Sequence, residues 1–253
     1  MNRYSKIFGC VIATMCFALT LVATPNVEAK KIDSAALEAI ARVGVVSVAG
    51  DTMICRRFGV TAFGNKYETF DMADWGLDAE WQQQLQEAVA ATGKFEIVPL
   101  SRDDRARLLD PLKDEFPDEK RLSVVAAEIA KEVNVDAVLL LASPVTDLYT
   151  RELYLEKYGV FIYKAAFKKN VIYYLSGRLY LLDSAGKILD TQYLPGQAPK
   201  ALGPIPHVKA PEDVTELWCS DYTTEQNSML REFLVEIPKP LWAPALEKLL
   251  ETK

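Results

Sequence analysis

The chain has 253 residues, with 29 lysines and arginines against 35 aspartates and glutamates, which gives a formal net charge of −6. This acidic balance argues against nucleic acid as a partner, because phosphate binding needs a basic stripe. Half of the residues are hydrophobic, enough to bury the core of one large domain or two small ones.

The N-terminus predicts an export signal. Arg3 and Lys6 precede an uninterrupted apolar run over residues 7–24, and Val27 and Ala29 place small residues at the −3 and −1 positions of a cleavage site. We therefore predict a periplasmic or exported protein. The alternative is inner-membrane anchoring by an uncleaved N-terminal segment, since this run is just long enough to span a bilayer.

Buried strands and amphipathic helices alternate through the first half of the remaining chain. This order is typical of an α/β sheet whose crossover helices pack on it. Asp78 is the predicted N-cap of the clearest helix, and Gly93 suits the left-handed position after its end. The predicted strands span residues 44–50, 95–100 and 135–143, and the predicted helices span residues 33–43, 78–93, 101–110 and 123–134.

The second half has an antiparallel pattern followed by helices. Residues 170–183 and 187–194 predict two strands joined at Gly186, and Thr223 with Gln226 predicts a capping box on a C-terminal helix. The predicted fold class is α/β, with α+β as the alternative: a mixed sheet with helices packed on it, an inserted hairpin and a helical C-terminal extension. The predicted parts are a signal peptide (1–29), an α/β domain (30–194) with its hairpin (52–73), a proline-rich loop (195–211) and a helical extension packing on the same domain (212–253).

Two cysteines follow the export signal. In an exported chain, Cys55 and Cys219 predict one disulfide, and the alternative is a pair of buried unpaired thiols.

The sequence contains few groups suited to catalysis. His207 is the only histidine, and no nucleophile motif accompanies it. Asp71, Asp74 and Asp78 do not match the oxygen spacing of a calcium loop. We predict that they end a strand, shape a turn and cap a helix, and that residues 101–110 form a solvated helix whose charges pair locally. We predict no metal and no cofactor.

One stretch combines aromatic and basic residues. Between Tyr149 and Tyr174 lie eight aromatic residues and five lysines or arginines, against two acids. Such composition is typical of protein interfaces and membrane headgroup regions. The alternative is a pair of strands whose aromatic side chains cover the sheet. The predicted partner-binding residues are Tyr154, Tyr158, Phe161, Tyr163 and Lys164, with Arg56 and Arg57 as a second patch.

Four segments carry a resemblance to known envelope proteins: "VGVVSVAG" from Val43, "EWQQQLQEAVAATGKFEIVPL" from Glu80, "AAEIAKEVNVDAVLLLAS" from Ala126 and "LSGRLYLLDSAGKILDT" from Leu175. Their order resembles the fold shared by the curli secretion channel periplasmic domain, the penicillin-binding-protein activator lipoproteins and the N-terminal domain of the Tol–Pal translocation protein. The segment "GDT…R-x-G-x-T-x-F-x-N…DWGLDA" is also similar to one in uncharacterised exported proteins. The resemblance implies an envelope protein that works by binding and names no partner.

These observations lead to two functional hypotheses. The first is a non-catalytic periplasmic accessory or adaptor protein that contacts another envelope protein, with the membrane surface as an alternative contact. The second is an envelope hydrolase or small-ligand-binding protein that uses the region of Asp71, Asp74 and Asp78.

Overall fold

A computed structural model describes residues 34–59, 65–113, 118–143, 146–147, 154–155, 157–165, 168–194, 207–212 and 217–251. The predicted export signal, the hairpin turn at Gly64 and most of the proline-rich loop lie outside these residues. In the part of the chain that is described, no helix has the length and apolar character needed to cross a membrane.

The described residues form twelve strands and six helices. The strands are β1 (Arg42–Val48), β2 (Thr52–Phe58), β3 (Lys66–Asp71), β4 (Glu96–Pro99), β5 (Ala137–Ala142), β6 (Thr146–Asp147), β7 (Tyr154–Leu155), β8 (Tyr158–Ala165), β9 (Lys168–Leu175), β10 (Arg178–Asp183), β11 (Ile188–Tyr193) and β12 (His207–Lys209). The helices are α1 (Ser34–Glu38), α2 (Leu77–Ala91), α3 (Arg102–Leu109), α4 (Glu119–Val133), α5 (Thr224–Glu236) and α6 (Trp242–Leu249). Helices packed on mixed sheets confirm the predicted α/β class.

The first sheet has the strand order β11-β10-β5-β1-β4. Strands β4 and β5 flank β1 in parallel, and β10 and β11 extend the sheet in antiparallel pairing. Every residue of β5 is buried, as expected for a strand of a sheet that is covered on both faces. The turn between β10 and β11 contains Gly186 at φ 78°, which confirms its predicted role.

Helices cover opposite faces of this first sheet. On one face, Val43 and Val45 of β1 share a core with Trp81 and Leu85 of α2. On the other face, Val46 and Val48 share a core with residues of α3 and α4, among them Leu108, Leu122 and Ile129. The chain therefore leaves β1 towards one face and leaves β4 towards the other.

Asp136 joins the starts of two parallel strands. Its Oδ2 atom accepts hydrogen bonds from the backbone N–H groups of Ala41 (2.9 Å) and Arg42 (2.8 Å), at the beginning of β1, while Asp136 itself directly precedes β5. These N–H groups of Arg42 and Ala41 lower the pKa of the Asp136 carboxyl below its ordinary value.

We expect Asp136→Asn to lower the free energy of unfolding by about 1 kcal/mol at neutral pH, because the two N–H groups lose a charged acceptor. A carboxyl whose pKa is lowered on folding stabilises the protein above its unfolded pKa, which is about 4, and loses this effect as the pH falls through the folded value. The gap between variant and parent should therefore shrink below about pH 4 in urea unfolding. The exposed-site variant Glu247→Gln is the control, and a gap that does not change with pH would contradict this role of Asp136.

The second sheet has the strand order β12-β9-β8-β2-β3. The predicted hairpin forms as strands β2 and β3, but it belongs to this sheet, because β2 pairs in parallel with β8 and Met53 lies opposite Tyr158. The predicted strand over residues 170–183 is divided at Ser176 and Gly177, where the chain passes from the second sheet to the first. Part of the predicted proline-rich loop forms β12, which pairs with β9.

The C-terminal helices pack against α2. The Trp81 indole N–H donates to the carbonyl of Leu234 in α5 at 3.0 Å, and the Trp242 indole N–H of α6 donates to Gln84 Oε1 at 3.1 Å. The Thr223–Gln226 capping box is present at the start of α5, as predicted. These helices share the core that lies between the two sheets.

The start of α4 differs from the prediction. The helix begins at Glu119 and not near Ser123, because the Asp118 side chain accepts a hydrogen bond from the backbone N–H of Arg121 and caps the helix one turn earlier. By contrast, α2 ends as predicted, with Thr92 as its C-cap and Gly93 at φ 65°.

Cys55 of β2 and Cys219 form a disulfide with a Cα–Cα distance of 6.2 Å. Both residues are buried. The predicted pairing is confirmed, and it links the hairpin to the segment that leads into the C-terminal helices.

Candidate functional site

A cavity of about 380 Å³ lies beside the carboxyl ends of β1 and β4. Its walls come from the residues that follow these two strands, from the first three turns of α2 and from the first turn of α3. The described lining residues are Asp51, Ala73, Gly76, Asp78, Ala79, Gln82, Gln83, Gln86, Leu100, Ser101, Arg102 and Arg105.

The fold itself creates this cavity. Strands β1 and β4 are neighbours, and the helices that follow them pack on opposite faces of the sheet. Such a point in an open α/β sheet leaves a crevice outside the carboxyl ends of the strands, and ligands of these folds commonly bind there. The position therefore marks the cavity as the candidate functional site.

Asp78 is buried beside the cavity, and the prediction that it caps α2 is wrong. Gly76 occupies the N-cap position and makes no side-chain capping bond. The Asp78 carboxylate instead turns towards β1, where it accepts hydrogen bonds from Ser47 Oγ (2.6 Å) and from the backbone N–H groups of Ala49 (3.0 Å) and Gly50 (3.2 Å). Its oxygens thus connect α2 to the end of the central strand.

Arg105 of α3 joins two acidic residues at the same place. Its guanidinium donates to Asp78 Oδ2, to Asp51 Oδ1 at 3.1 Å, and through Nε to the carbonyl of Ser47 at 3.2 Å. The prediction that the charges of α3 pair locally is wrong for Arg105 and incomplete for Arg107, which also pairs with Glu128 and Glu132 of α4, although the Ser101–Asp104 capping box does form at the start of α3.

Burial and charge act against each other in this cluster. Burial raises the pKa of the Asp78 carboxyl above its ordinary value, while the Arg105 charge and the Ser47 hydrogen bond oppose that shift. Burial also lowers the pKa of Arg105, but the Asp78 and Asp51 carboxylates outweigh this effect and the pKa is raised. Arg105 therefore stays a cation that bridges the two carboxylates.

The structure does not gather the three predicted aspartates into one site. Asp71 ends β3, as predicted, and its Oδ1 accepts from the backbone N–H of Ala73 at 3.0 Å. Asp74 is exposed in a short 3₁₀ turn, as predicted for a turn residue. Of the three, Asp78 alone is among the described lining residues. The described part of the chain holds no cluster of histidine, cysteine, aspartate and glutamate suited to a metal ion.

The aromatic and basic stretch forms β8 and β9. The alternative prediction, a pair of strands whose aromatic side chains cover the sheet, therefore describes it better. Tyr158 and Phe161 are buried, with 0% and 1% exposure, which corrects the expectation that they present surface to a partner. Tyr158 packs edge-on against Trp81, and Phe161 stacks on half-buried Tyr163 at 5.4 Å. The side chains of Tyr154 and Lys164 lie outside the described residues.

Arg56 and Arg57 are half-buried on β2. The Arg57 guanidinium lies 5.1 Å from the centre of the Trp218 ring, and the Lys66 ammonium lies 4.1 Å from it. Trp218 directly precedes Cys219 of the disulfide. Arg57 therefore has a structural contact within the chain, beside the covalent link.

The sequence did not indicate Ser47, Asp51 or Arg105 as site residues. They are far from Asp78 along the chain, and only the sheet brings them together. One signal was available: Asp78 lies three residues before Trp81, on the apolar stripe of α2, and a carboxylate on such a stripe needs a buried partner.

Comparison with known proteins assigns no family. No protein-family model matches the chain, and no curated protein matches it. The PelC dodecamer from Paraburkholderia phytofirmans is 11% identical, with a TM-score of 0.28 over 81% of this chain and 91% of that chain. The hypothetical protein CT253 from Chlamydia trachomatis is 10% identical, with a TM-score of 0.34 over 84% of this chain and 96% of that chain. At these TM-scores the likeness assigns neither a family nor a role, and the resemblance to the curli, penicillin-binding-protein activator and Tol–Pal proteins stays a prediction.

Proposed function

We propose that this chain is an exported, non-catalytic accessory protein of the cell envelope that binds a small polar ligand in the cavity beside the carboxyl ends of β1 and β4. The observation that carries the proposal is the cavity itself, because its volume falls in the range of about 300 to 1,000 Å³ found for ligand sites and its position is typical of them. Export is supported by the N-terminal sequence and is compatible with the Cys55–Cys219 disulfide.

A binding role suits the charged groups better than a hydrolytic role. A pair of catalytic carboxylates needs freedom to give and take protons at the substrate. Asp78 is instead enclosed by Ser47 and two backbone N–H groups, and Arg105 bridges it to Asp51. This arrangement holds the wall of the cavity in one geometry.

Two contact residues proposed under the adaptor hypothesis are not accessible on the surface. Tyr158 and Phe161 are buried, and Arg57 contacts Trp218. Among its other residues, Tyr163 and Arg56 are half-buried. We therefore place the accessory role on the cavity and not on the aromatic stretch.

We expect a blocked cavity to weaken ligand binding while the fold is retained. Ala79 is exposed and lines the cavity, so Ala79→Phe introduces bulk there, and Ala90→Phe places the same side chain at an exposed position near the other end of α2. The measurement is titration calorimetry of the parent and both variants with L-alanine, tri-L-alanine, D-glucose and succinate. The proposal predicts that at least one compound binds the parent and Ala90→Phe, and that Ala79→Phe weakens this binding at least tenfold. Binding that is equal in all three proteins would place the site elsewhere.

A further inference from the structure

We propose that the cavity binds a small zwitterion, a molecule that carries both an ammonium and a carboxylate group, as amino acids and short peptides do. This inference rests on the proposed function, because it names the ligand chemistry of the same cavity. It is carried by two opposite charges on the described lining that do not pair with each other.

The formal charges on the described lining balance. Asp51 and Asp78 contribute two negative charges, and Arg102 and Arg105 contribute two positive charges. Asp78 and Arg105 form an ion pair with each other beside β1. Arg105 also pairs with Asp51 at 3.1 Å, so Asp51, Asp78 and Arg105 together carry one negative charge, and Arg102 carries the balancing positive charge.

Asp51 has one carboxylate oxygen available. Its side chain is 41% exposed, and its Oδ1 accepts from Arg105 at 3.1 Å, whereas Oδ2 accepts no hydrogen bond from the described residues. The backbone N–H of Met72 donates to the Asp51 carbonyl at 2.6 Å and holds this residue in place. A positioned carboxylate with an open oxygen forms strong charge-assisted hydrogen bonds with an ammonium group.

Arg102 supplies the opposite charge on another element. It is the first residue of α3, it is exposed, and it has no ion pair or hydrogen bond within the part of the chain described here. A guanidinium group matches the two oxygens of a carboxylate with parallel N–H donors. Asp51 follows β1 and Arg102 follows β4, so the two charges belong to different walls.

Amide groups lie on the α2 side of the same cavity. Gln82 accepts a hydrogen bond from the Ser47 backbone N–H through Oε1 at 3.3 Å, which leaves its NH₂ group to donate. Gln86 also lines the cavity with an uncharged amide. Such groups suit the carbonyl and N–H groups of a peptide without adding net charge.

The net negative charge at Asp51 and the positive charge of Arg102 also select against other ligand classes. A simple anion would be repelled by Asp51, and a simple cation would be repelled by Arg102. A neutral ligand would leave the Arg102 guanidinium and the open Asp51 oxygen without a charged partner on binding. A ligand with both charges compensates both residues, which is how a site gains specificity as well as affinity.

The test compares blocked and unblocked forms of one peptide by titration calorimetry. Tri-L-alanine carries both charges, N-acetyl-tri-L-alanine lacks the ammonium group, and tri-L-alanine amide lacks the carboxylate group. We expect each blocked form to bind the full chain at least tenfold more weakly than tri-L-alanine. L-alanine is included because its affinity relative to tri-L-alanine distinguishes a free amino acid from a peptide as the source of the zwitterion.

Two variants connect each charge of the peptide to one residue. In Asp51→Asn, N-acetylation should no longer weaken binding, and in Arg102→Gln, amidation should no longer weaken binding. Lys94→Gln, a charge-changing variant outside the described lining, should behave like the parent. Because Asp51 contacts Arg105, thermal unfolding of Asp51→Asn accompanies the titration, and the blocked peptides test the inference on the parent protein even if this variant does not fold.

The outcomes separate this inference from the proposed function. The zwitterion inference is wrong if the blocked peptides bind as tightly as tri-L-alanine, or if D-glucose or succinate alone binds. In either case the ligand-binding cavity stands when Ala79→Phe weakens that binding, and it is overturned when Ala79→Phe does not. If none of these probes binds the parent, both proposals are overturned. If both blocked forms weaken and the two variants remove the respective differences, both are supported.

Discussion

Asp78→Ala is expected to lower the free energy of unfolding by about 3 to 5 kcal/mol, the range seen when one partner of a buried ion pair is removed. The substitution leaves Ser47 Oγ and two backbone N–H groups at the end of β1 without their acceptor, and it removes one of the two carboxylates that the Arg105 guanidinium contacts. Each unpaired buried donor costs about 1 to 3 kcal/mol. Urea unfolding of the parent and the variant measures the difference.

The same experiment distinguishes a role of Asp78 in the buried cluster from a role as a helix cap. Loss of an N-cap would cost only about 1 kcal/mol, and a loss of that size would contradict the structural role of Asp78. Asp74→Asn is the matched control, because this aspartate lies in the same segment and is exposed. Its effect should stay within about 0.5 kcal/mol, as for most surface substitutions.

Removal of the disulfide is expected to have the second large effect. The link joins residues separated by 164 positions, and the chain-entropy model gives about 5 kcal/mol of stabilisation for a loop of that length. Because measured values are commonly lower, we expect the free energy of unfolding to fall by about 2 to 5 kcal/mol when Cys55→Ala and Cys219→Ala are combined.

The measurement uses the parent with and without a thiol reductant, next to the double variant. The reduced parent should unfold at a lower urea concentration than the oxidised parent. The double variant should unfold at the same urea concentration with and without reductant, which makes it the control for other effects of the reagent. Equal midpoints for the oxidised and the reduced parent would show that the link does not stabilise the fold.

Local features of the fold could be predicted from the sequence because their determinants are neighbours in the chain. Gly93 and Gly186 adopt the positive φ values that their turns require, and Thr223 with Gln226 forms the predicted capping box. The strands and helices around β1, β4 and β5 follow from hydrophobic periodicity, which is also local.

The second sheet and the site could not be predicted in the same way. Strand β2 pairs with β8, and a hairpin pattern does not indicate which distant strand will lie beside it. The site has the same origin, since Ser47, Asp78 and Arg105 meet only after the sheet has formed. The aromatic stretch was ambiguous because Tyr158 has the composition of an interface residue and the position of a core residue.

The pairing of β2 with β8 has a consequence for how the chain folds. Met53 lies opposite Tyr158, and Trp81 donates its hydrogen bond to Leu234, so the early strands and helix find partners only much later in the sequence. Contacts of such separation slow folding, because the entropy of closing long loops is lost before the contacts can repay it. An N-terminal fragment lacks both partners, and the newly made chain can complete its core only when its last helices are available.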